Sequence, residues 1–145
     1  MAINGLHHAA ISTPDIDRLM NWYNKNFGFE EVGRTNWPKG SDQIDGVVGL
    51  KNSSAKQGFL KCGNIMIEFF EYSSPEPKPM DKNRPVNNHG HTHVCIDVTN
   101  IDEIKEAYKN IDLVIDLASV PSQFSPWKVI YDNNILCTYN SLELA

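Results

Sequence analysis

Two histidines and one glutamate are the residues of this sequence whose types and positions suit metal chemistry. His8 and His93 each stand near the head of a short apolar run, and Glu68 lies within another, residues 65–71. Burying a carboxylate without a partner is prohibitive, so Glu68 is expected to be paired, metal-bound or at an edge. Two imidazoles and a carboxylate are a common ligand set for a divalent transition metal and leave positions open for substrate.

The two histidines are related by an internal repeat. When His93 is aligned with His8, residues 93–102 repeat the pattern of residues 8–17, in which a short apolar run precedes a residue that starts a helix. The matched pairs are Ile96 with Ile11, Asn100 with Asp15, Ile101 with Ile16 and Asp102 with Asp17. We interpret the chain as two structural repeats that bring the histidines together.

The first half of the chain has the pattern of a β-α-β-β-β unit. Alternation places His8, Ala10 and Ser12 on one face of the first strand, and Asp15 is a suitable N-cap for the helix that follows. The predicted elements are strand 6–13, helix 16–26, strand 29–37, a loop over 38–46, and hairpin strands 59–62 and 65–72 around Gly63-Asn64. Residues 73–90 hold four of the eight prolines and show no hydrophobic period, which indicates a linker.

The second half repeats this order. The predicted elements are strand 91–98, a helix over 101–109 capped by Asn100, and strands 113–118, 127–131 and 135–139, with a turn at Asn133-Asn134. A helix needs an apolar face of sheet to pack on, which here is Val94, Ile96 and Val98. The opposite face of the strand then carries His91, His93 and Cys95.

These elements predict one α+β domain made of two β-α-β-β-β modules. Module 1 covers about residues 1–73, a Pro-rich linker about 74–89, and module 2 about 90–145. Four strands in each module form a curved mixed sheet, and the two modules can face each other around a central cavity. Glu68 would then share the cavity wall with Met66 and Phe70.

Composition and charge exclude several classes of function. The formal net charge of −5 gives no electrostatic attraction to nucleic acid or to a membrane surface. No apolar run approaches the roughly 20 residues of a membrane helix, and the first residues lack the pattern of a signal peptide. Three cysteines without CxxC spacing favour reduced thiols. We therefore expect a cytoplasmic protein that acts on a small molecule.

With these motifs in place, the chain resembles the vicinal oxygen chelate superfamily, which has the fold of glyoxalases, bleomycin-resistance proteins and extradiol dioxygenases. His8 matches the family's first-strand histidine in the pattern His-x-x-Ile-x-x-x-Asp, and Glu68 matches the Ile-Glu-Phe of the fourth strand. His93 matches the first strand of the second module, while His91 competes for that role. The resemblance implies that His8, Glu68 and His93 bind a divalent ion, which can be Fe, Ni, Co, Zn or Mn.

The fourth ligand position departs from the family pattern. Cys137 falls where many members have a second glutamate, and Thr138 falls where they have leucine. That glutamate is a ligand tied to proton transfer in glyoxalase I and methylmalonyl-CoA epimerase, so its absence argues against both activities. Two alternatives stay open at this position. Cys137 would be a thiolate ligand, since a bound cation stabilises the thiolate, or it is a buried thiol and the fourth position is left to water or substrate.

The resemblance implies three functions. The leading one is a metal-dependent, glyoxalase-like lyase or isomerase that acts on a small oxygenated organic substrate through a metal-stabilised enolate. Catalytic roles would fall to Glu68 and to His91, the best spare base. The second is a non-haem iron dioxygenase with a two-histidine, one-glutamate site. The third is a ligand-sequestering protein of the bleomycin-resistance type. The superfamily also implies a homodimer, in which His8 and Glu68 can come from one subunit and His93 from the other.

Overall fold

The computed structural model describes residues 5–98, 101–109, 120 and 124–144. The chain divides into two compact units, Met1–Cys95 and Ile96–Ala145. The boundary does not coincide with the predicted modules, because His91 and His93 fall in the first unit. The predicted arrangement of two modules in one domain therefore stays a prediction.

The first unit contains a four-stranded mixed sheet. Its elements in chain order are β1 (His8–Ser12), α1 (Ile16–Phe27), β2 (Glu30–Trp37), α2 (Asp42–Val48), β3 (Ser54–Cys62) and β4 (Ile65–Ser74). The strand order across the sheet is β1-β4-β3-β2. β1 runs parallel to β4, and the other two neighbouring pairs are antiparallel. The predicted β-α-β-β-β order and the α+β class are confirmed, with α2 as an additional helix.

α1 covers one face of the sheet. The side chain of Asp15 accepts a hydrogen bond from the Arg18 backbone N–H at 2.9 Å and so caps the helix, as predicted. Gly28 ends α1 in the left-handed conformation, with φ of 67°. The fully or almost fully buried side chains on this side are Ile16 and Met20 from the helix with Leu60, Ile67 and Phe69 from the sheet. Each such side chain contributes about 1.5–3 kcal/mol by leaving water.

The opposite face of the sheet carries Glu68 and several aromatic side chains. Trp37 lies against Phe70 and Tyr72, with ring centroids 6.1 and 5.9 Å away. Its indole N–H donates to Ser53 Oγ at 3.1 Å, and that hydroxyl donates to the carboxylate of Asp45 in α2. α2 thereby anchors one end of this face.

The prediction of a loop over residues 38–46 was wrong in its second half, where α2 begins. Ser41 caps the helix and Gly49 ends it with φ of 68°. Seven residues with Gly46 among them are too short to show a helical hydrophobic period, although the cap residues were visible in the sequence.

Residues 75–98 contain no helix or strand. The predicted linker therefore lacks regular structure, apart from Ser73 and Ser74, which belong to β4, and its role between two modules stays a prediction. The predicted strand over 91–98 was wrong. The Arg84 guanidinium donates to the backbone carbonyls of Asn88, His89 and His91, so this segment satisfies backbone groups with a side chain instead of a neighbouring strand.

The regular structure in the described part of the second unit is helical. It comprises a 3₁₀ helix (Ile101–Tyr108), α3 (Trp127–Ile130), a π-helical turn (Tyr131–Ile135) and α4 (Leu136–Leu144). The helix predicted over 101–109 is confirmed in 3₁₀ form. The strand predicted over 113–118 and the capping role of Asn100 lie outside the described residues.

The strands predicted over 127–131 and 135–139 and the turn at Asn133-Asn134 were wrong. Contacts between residues four apart favour a helix here, namely a Lys128–Asp132 ion pair of 2.6 Å and an Asn133 side-chain hydrogen bond to the Val129 carbonyl. The β-branched and aromatic composition suggested strands, but β-propensity depends on the packing that a sheet provides. Over the described ranges, every helix is too short or too polar to cross a lipid bilayer.

Candidate functional site

His8 and Glu68 meet on the face of the sheet that α1 leaves open. β1 and β4 are neighbours, and His8 lies opposite Met66, two residues before Glu68. His8 Nε2 is 3.3 Å from Glu68 Oε2. The Glu68 side chain is 10% exposed and the imidazole 40% exposed, so solvent reaches the pair from the histidine side. The prediction that these two side chains share a face is confirmed.

Gln57 contacts Glu68 on one side of the pair, and His7 contacts His8 on the other. Gln57 on β3 donates from its amide to Glu68 Oε1, so both carboxylate oxygens have partners. On the other side, His8 Nδ1 is 2.8 Å from His7 Nδ1. The burial of Glu68 is therefore compensated, as an ionised or hydrogen-bonding group in an apolar strand requires.

Neither neighbour was among the site residues predicted from the sequence. Gln57 could have been found from hairpin register, because a hairpin turning at Gly63-Asn64 pairs Gln57 with Phe70 and so places it on the face of Glu68. The prediction started the β3 strand only at Phe59 and therefore excluded it.

Aromatic rings line the surroundings of the pair. The edge of the His8 ring contacts Phe59 with centroids 5.8 Å apart, and Phe70 stacks on Tyr72 at 5.6 Å. Burial raises the pKa of the Tyr72 phenol, and the negative charge of Glu68 raises it further. Tyr72 therefore keeps its proton at neutral pH and presents a neutral hydroxyl near the carboxylate.

The donor set and spacing of His8 and Glu68 fit two ligands of one metal ion. Bonds of about 2.0–2.2 Å at angles between square and tetrahedral place two ligand atoms roughly 2.8–3.6 Å apart. The observed 3.3 Å lies within that range. A shared proton suits the same spacing. Within the part of the chain that the structure describes, no three side chains of His, Cys, Asp or Glu converge closely enough to hold a metal.

The structure records other contacts for the remaining predicted site residues. The exposed His93 ring contacts Thr92 Oγ1 at 3.0 Å, and His91 is exposed with its backbone carbonyl held by Arg84. Cys137 lies in α4, where its thiol is 3.6 Å from the Asp132 carbonyl. Thus the structure brings together two of the three predicted metal ligands, and the roles of His93, His91 and Cys137 stay predictions.

Comparison with known proteins identifies the family. Residues 5–115 match the Glyoxalase/Bleomycin resistance protein/Dioxygenase superfamily, and the chain belongs to this family. The fold also resembles a crystal structure of a glyoxalase family protein from Bacillus cereus, with a TM-score of 0.63 and 20% identity over 74% of this chain and 72% of that one. At this identity the likeness concerns the fold alone.

A short stretch of the chain is also similar to a protein that is described as a dehydrogenase. It is 38% identical over 52 residues to an L-arabinose 1-dehydrogenase (NAD(P)(+)) from Haloferax volcanii. The match covers 36% of this chain and 20% of the length of that relative.

Proposed function

We propose that the chain is a metal-dependent lyase or isomerase of this superfamily that acts on a small oxygenated organic substrate. The observation that carries the proposal is the 3.3 Å approach of His8 Nε2 to Glu68 Oε2 on an aromatic-lined face. These side chains would hold a divalent ion, with His93 as the third ligand proposed from the sequence. When bound, such an ion would act as a Lewis acid on a substrate oxygen and stabilise negative charge developing there.

The protein's own side chains prepare this site. Gln57 holds Glu68 Oε1 and so leaves Oε2 directed at His8. Such support from outside the ligand set typically changes metal affinity 10–100-fold. Trp37, Phe70 and Tyr72 form an apolar wall on the same face, which limits water near the substrate and strengthens electrostatic interactions there. His91 is proposed as the base that takes a proton from the substrate carbon.

Metal analysis of the purified full chain tests the proposal. We expect a divalent ion in the wild-type protein, and its loss in His8→Ala and in Glu68→Gln. His89→Ala removes an exposed histidine and serves as the matched control, which should retain the metal. Unfolding temperatures of all variants would show that metal loss does not result from misfolding. Unchanged metal content in both folded site variants would contradict the proposal.

His93→Ala and His91→Ala separate the remaining roles. His93 lies in a segment without regular structure, and ordering each such residue costs about 1–2 kcal/mol. We therefore expect His93→Ala to weaken metal binding less than His8→Ala does. His91→Ala should leave metal content unchanged and lower kcat. Loss of metal in His91→Ala with retention in His93→Ala would exchange the two assignments.

Metal identity and oxygen uptake of the purified wild-type protein distinguish the other two functions. Nickel, cobalt, zinc or manganese without oxygen uptake supports the lyase or isomerase. Iron with oxygen uptake on catechols would replace it with a dioxygenase. A metal-free protein that binds an aromatic ligand tightly would replace it with a sequestering protein.

A further inference from the structure

A groove of about 420 Å³ lies at the end of the sheet where β1 begins and the β3–β4 hairpin turns. Its walls combine two kinds of side chain. Leu6, Ile65 and Met66 are apolar, whereas Lys61 and Asn64 bring a cation and an amide. This combination is typical of a site for a small molecule with one polar end.

Lys61 is the charged group of this groove. It pairs with Met66 across the β3–β4 ladder, so it lies on the face of the sheet that carries Phe59 and Glu68. Its partner across to β2 is Glu30, yet within the described residues no carboxylate is recorded in a salt bridge with Lys61. An ammonium group bordering an apolar groove is thus available to an anionic ligand.

His7 connects this groove to the candidate metal site. His7 lines the groove, and its imidazole Nδ1 lies 2.8 Å from Nδ1 of His8, which in turn contacts Glu68. A ligand whose anionic end lay at Lys61 would therefore extend its other end along the open face toward the pair.

We propose that this groove binds the carboxylate group of the substrate, which makes the substrate a small organic acid with a short apolar body. One lysine with neutral donors suits a single negative charge, whereas phosphate usually engages arginines or several backbone N–H groups. The apolar side chains of Leu6, Ile65 and Met66 favour a ligand with an apolar part. This inference rests on the proposed function for the ligand's role as substrate, but the groove can be tested without metal.

Binding of butyrate to the metal-free full chain, followed by amide NMR shifts, tests the groove. We expect saturable shifts at residues 61–66 and a Kd at least about tenfold weaker in Lys61→Met. Lys51→Met removes an exposed lysine elsewhere and should bind butyrate like the wild type. Butyramide, which lacks the charge, should bind weakly and equally to the wild type and to Lys61→Met.

Three results would overturn the groove assignment. The first is equal butyrate affinity in Lys61→Met and Lys51→Met. The second is equal affinity of the wild type for butyrate and butyramide. The third is tighter binding of inorganic phosphate than of butyrate at residues 61–66. His8→Ala separates this test from that of the metal. If His8→Ala has lost the metal but still binds butyrate, the groove is supported independently of the metal site. If Lys61→Met retains the metal but binds no butyrate, both sites are supported.

Discussion

Glu68 shows how much a single residue can indicate. A carboxylate within an apolar strand requires partners, and the structure supplies Gln57 and His8, one to each oxygen. Sequence reasoning predicted the face and the histidine from strand alternation and the family pattern. Gln57 was missed because the predicted strand began only at Phe59, although the hairpin turn at Gly63-Asn64 sets the register that pairs Gln57 with Phe70.

Gln57→Leu should weaken metal binding while leaving the fold intact. The substitution removes the amide that fixes Glu68 Oε1, so the carboxylate can rotate away from His8. We expect a metal Kd about 10–100-fold weaker by calorimetric titration. Thr35→Val, an exposed position opposite Gln57 on β2, is the control and should bind like the wild type. Equal affinity of Gln57→Leu and Thr35→Val would show that Gln57 does not position the ligand.

Gly58→Ala should destabilise the first unit. A Cβ at this position would lie 2.5 Å from Met20 Sδ and 2.9 Å from its Cε, and Met20 is only 1% exposed. Repacking a buried methionine costs about 1–3 kcal/mol. Urea unfolding would measure this loss, with Gly33→Ala as control because a Cβ there meets nothing within 4 Å. Equal stability of the two variants would mean that Met20 moves aside at no cost.

At the scale of elements, Glu71 joins α1 to the sheet. Its Oε2 accepts the Ile16 backbone N–H at 2.9 Å, at the first turn of α1, and its Oε1 pairs with Lys56 at 2.8 Å. The hydrogen bond from Ile16, followed by that from Lys56, lowers the pKa of this carboxyl below its ordinary value of 4.5. The negative charge of Glu71 therefore stabilises the folded state above pH 4.5.

Glu71→Gln keeps an oxygen that can accept the Ile16 N–H but removes the charge, and it should lower stability at neutral pH by about 1 kcal/mol, because hydrogen bonds to a charged group are stronger than neutral ones. Because the folded-state pKa is depressed, this contribution is present in full above pH 4.5 and is lost as pH falls through the folded value. The difference in unfolding free energy between wild type and variant should thus shrink on acidification. Urea unfolding at several pH values measures it, and a difference independent of pH would contradict the role of the charge.

Elements of the first unit were predictable because their patterns are local. Alternation, the Asp15 cap and the hairpin at Gly63-Asn64 each carry their own signal. The short helix α2 has too few residues for a period to appear. The segments over 127–131 and 135–139 were assigned to strands on composition, whereas the structure has helical turns there, in which contacts such as Lys128–Asp132 join residues four apart.

For the whole molecule, the family was predictable, whereas the role of His93 in a metal site stays a prediction. The pattern from His8 to Glu68 identified the superfamily that residues 5–115 match. The placement of His93 depended on a second sheet, and strand pairing over long sequence separations cannot be read from alternation alone. A homodimer remains our proposal, since β1 and β2 are the two edges of the sheet and edge strands offer unpaired backbone groups to a partner.

Anomalous diffraction from crystals of the full chain grown with zinc tests the central claim most directly. We expect a metal peak within about 2.0–2.2 Å of both His8 Nε2 and a Glu68 carboxylate oxygen. The proposed metal site would be contradicted if no metal peak were found there and His8 Nε2 and Glu68 Oε2 were still 3.3 Å apart, joined only by a proton.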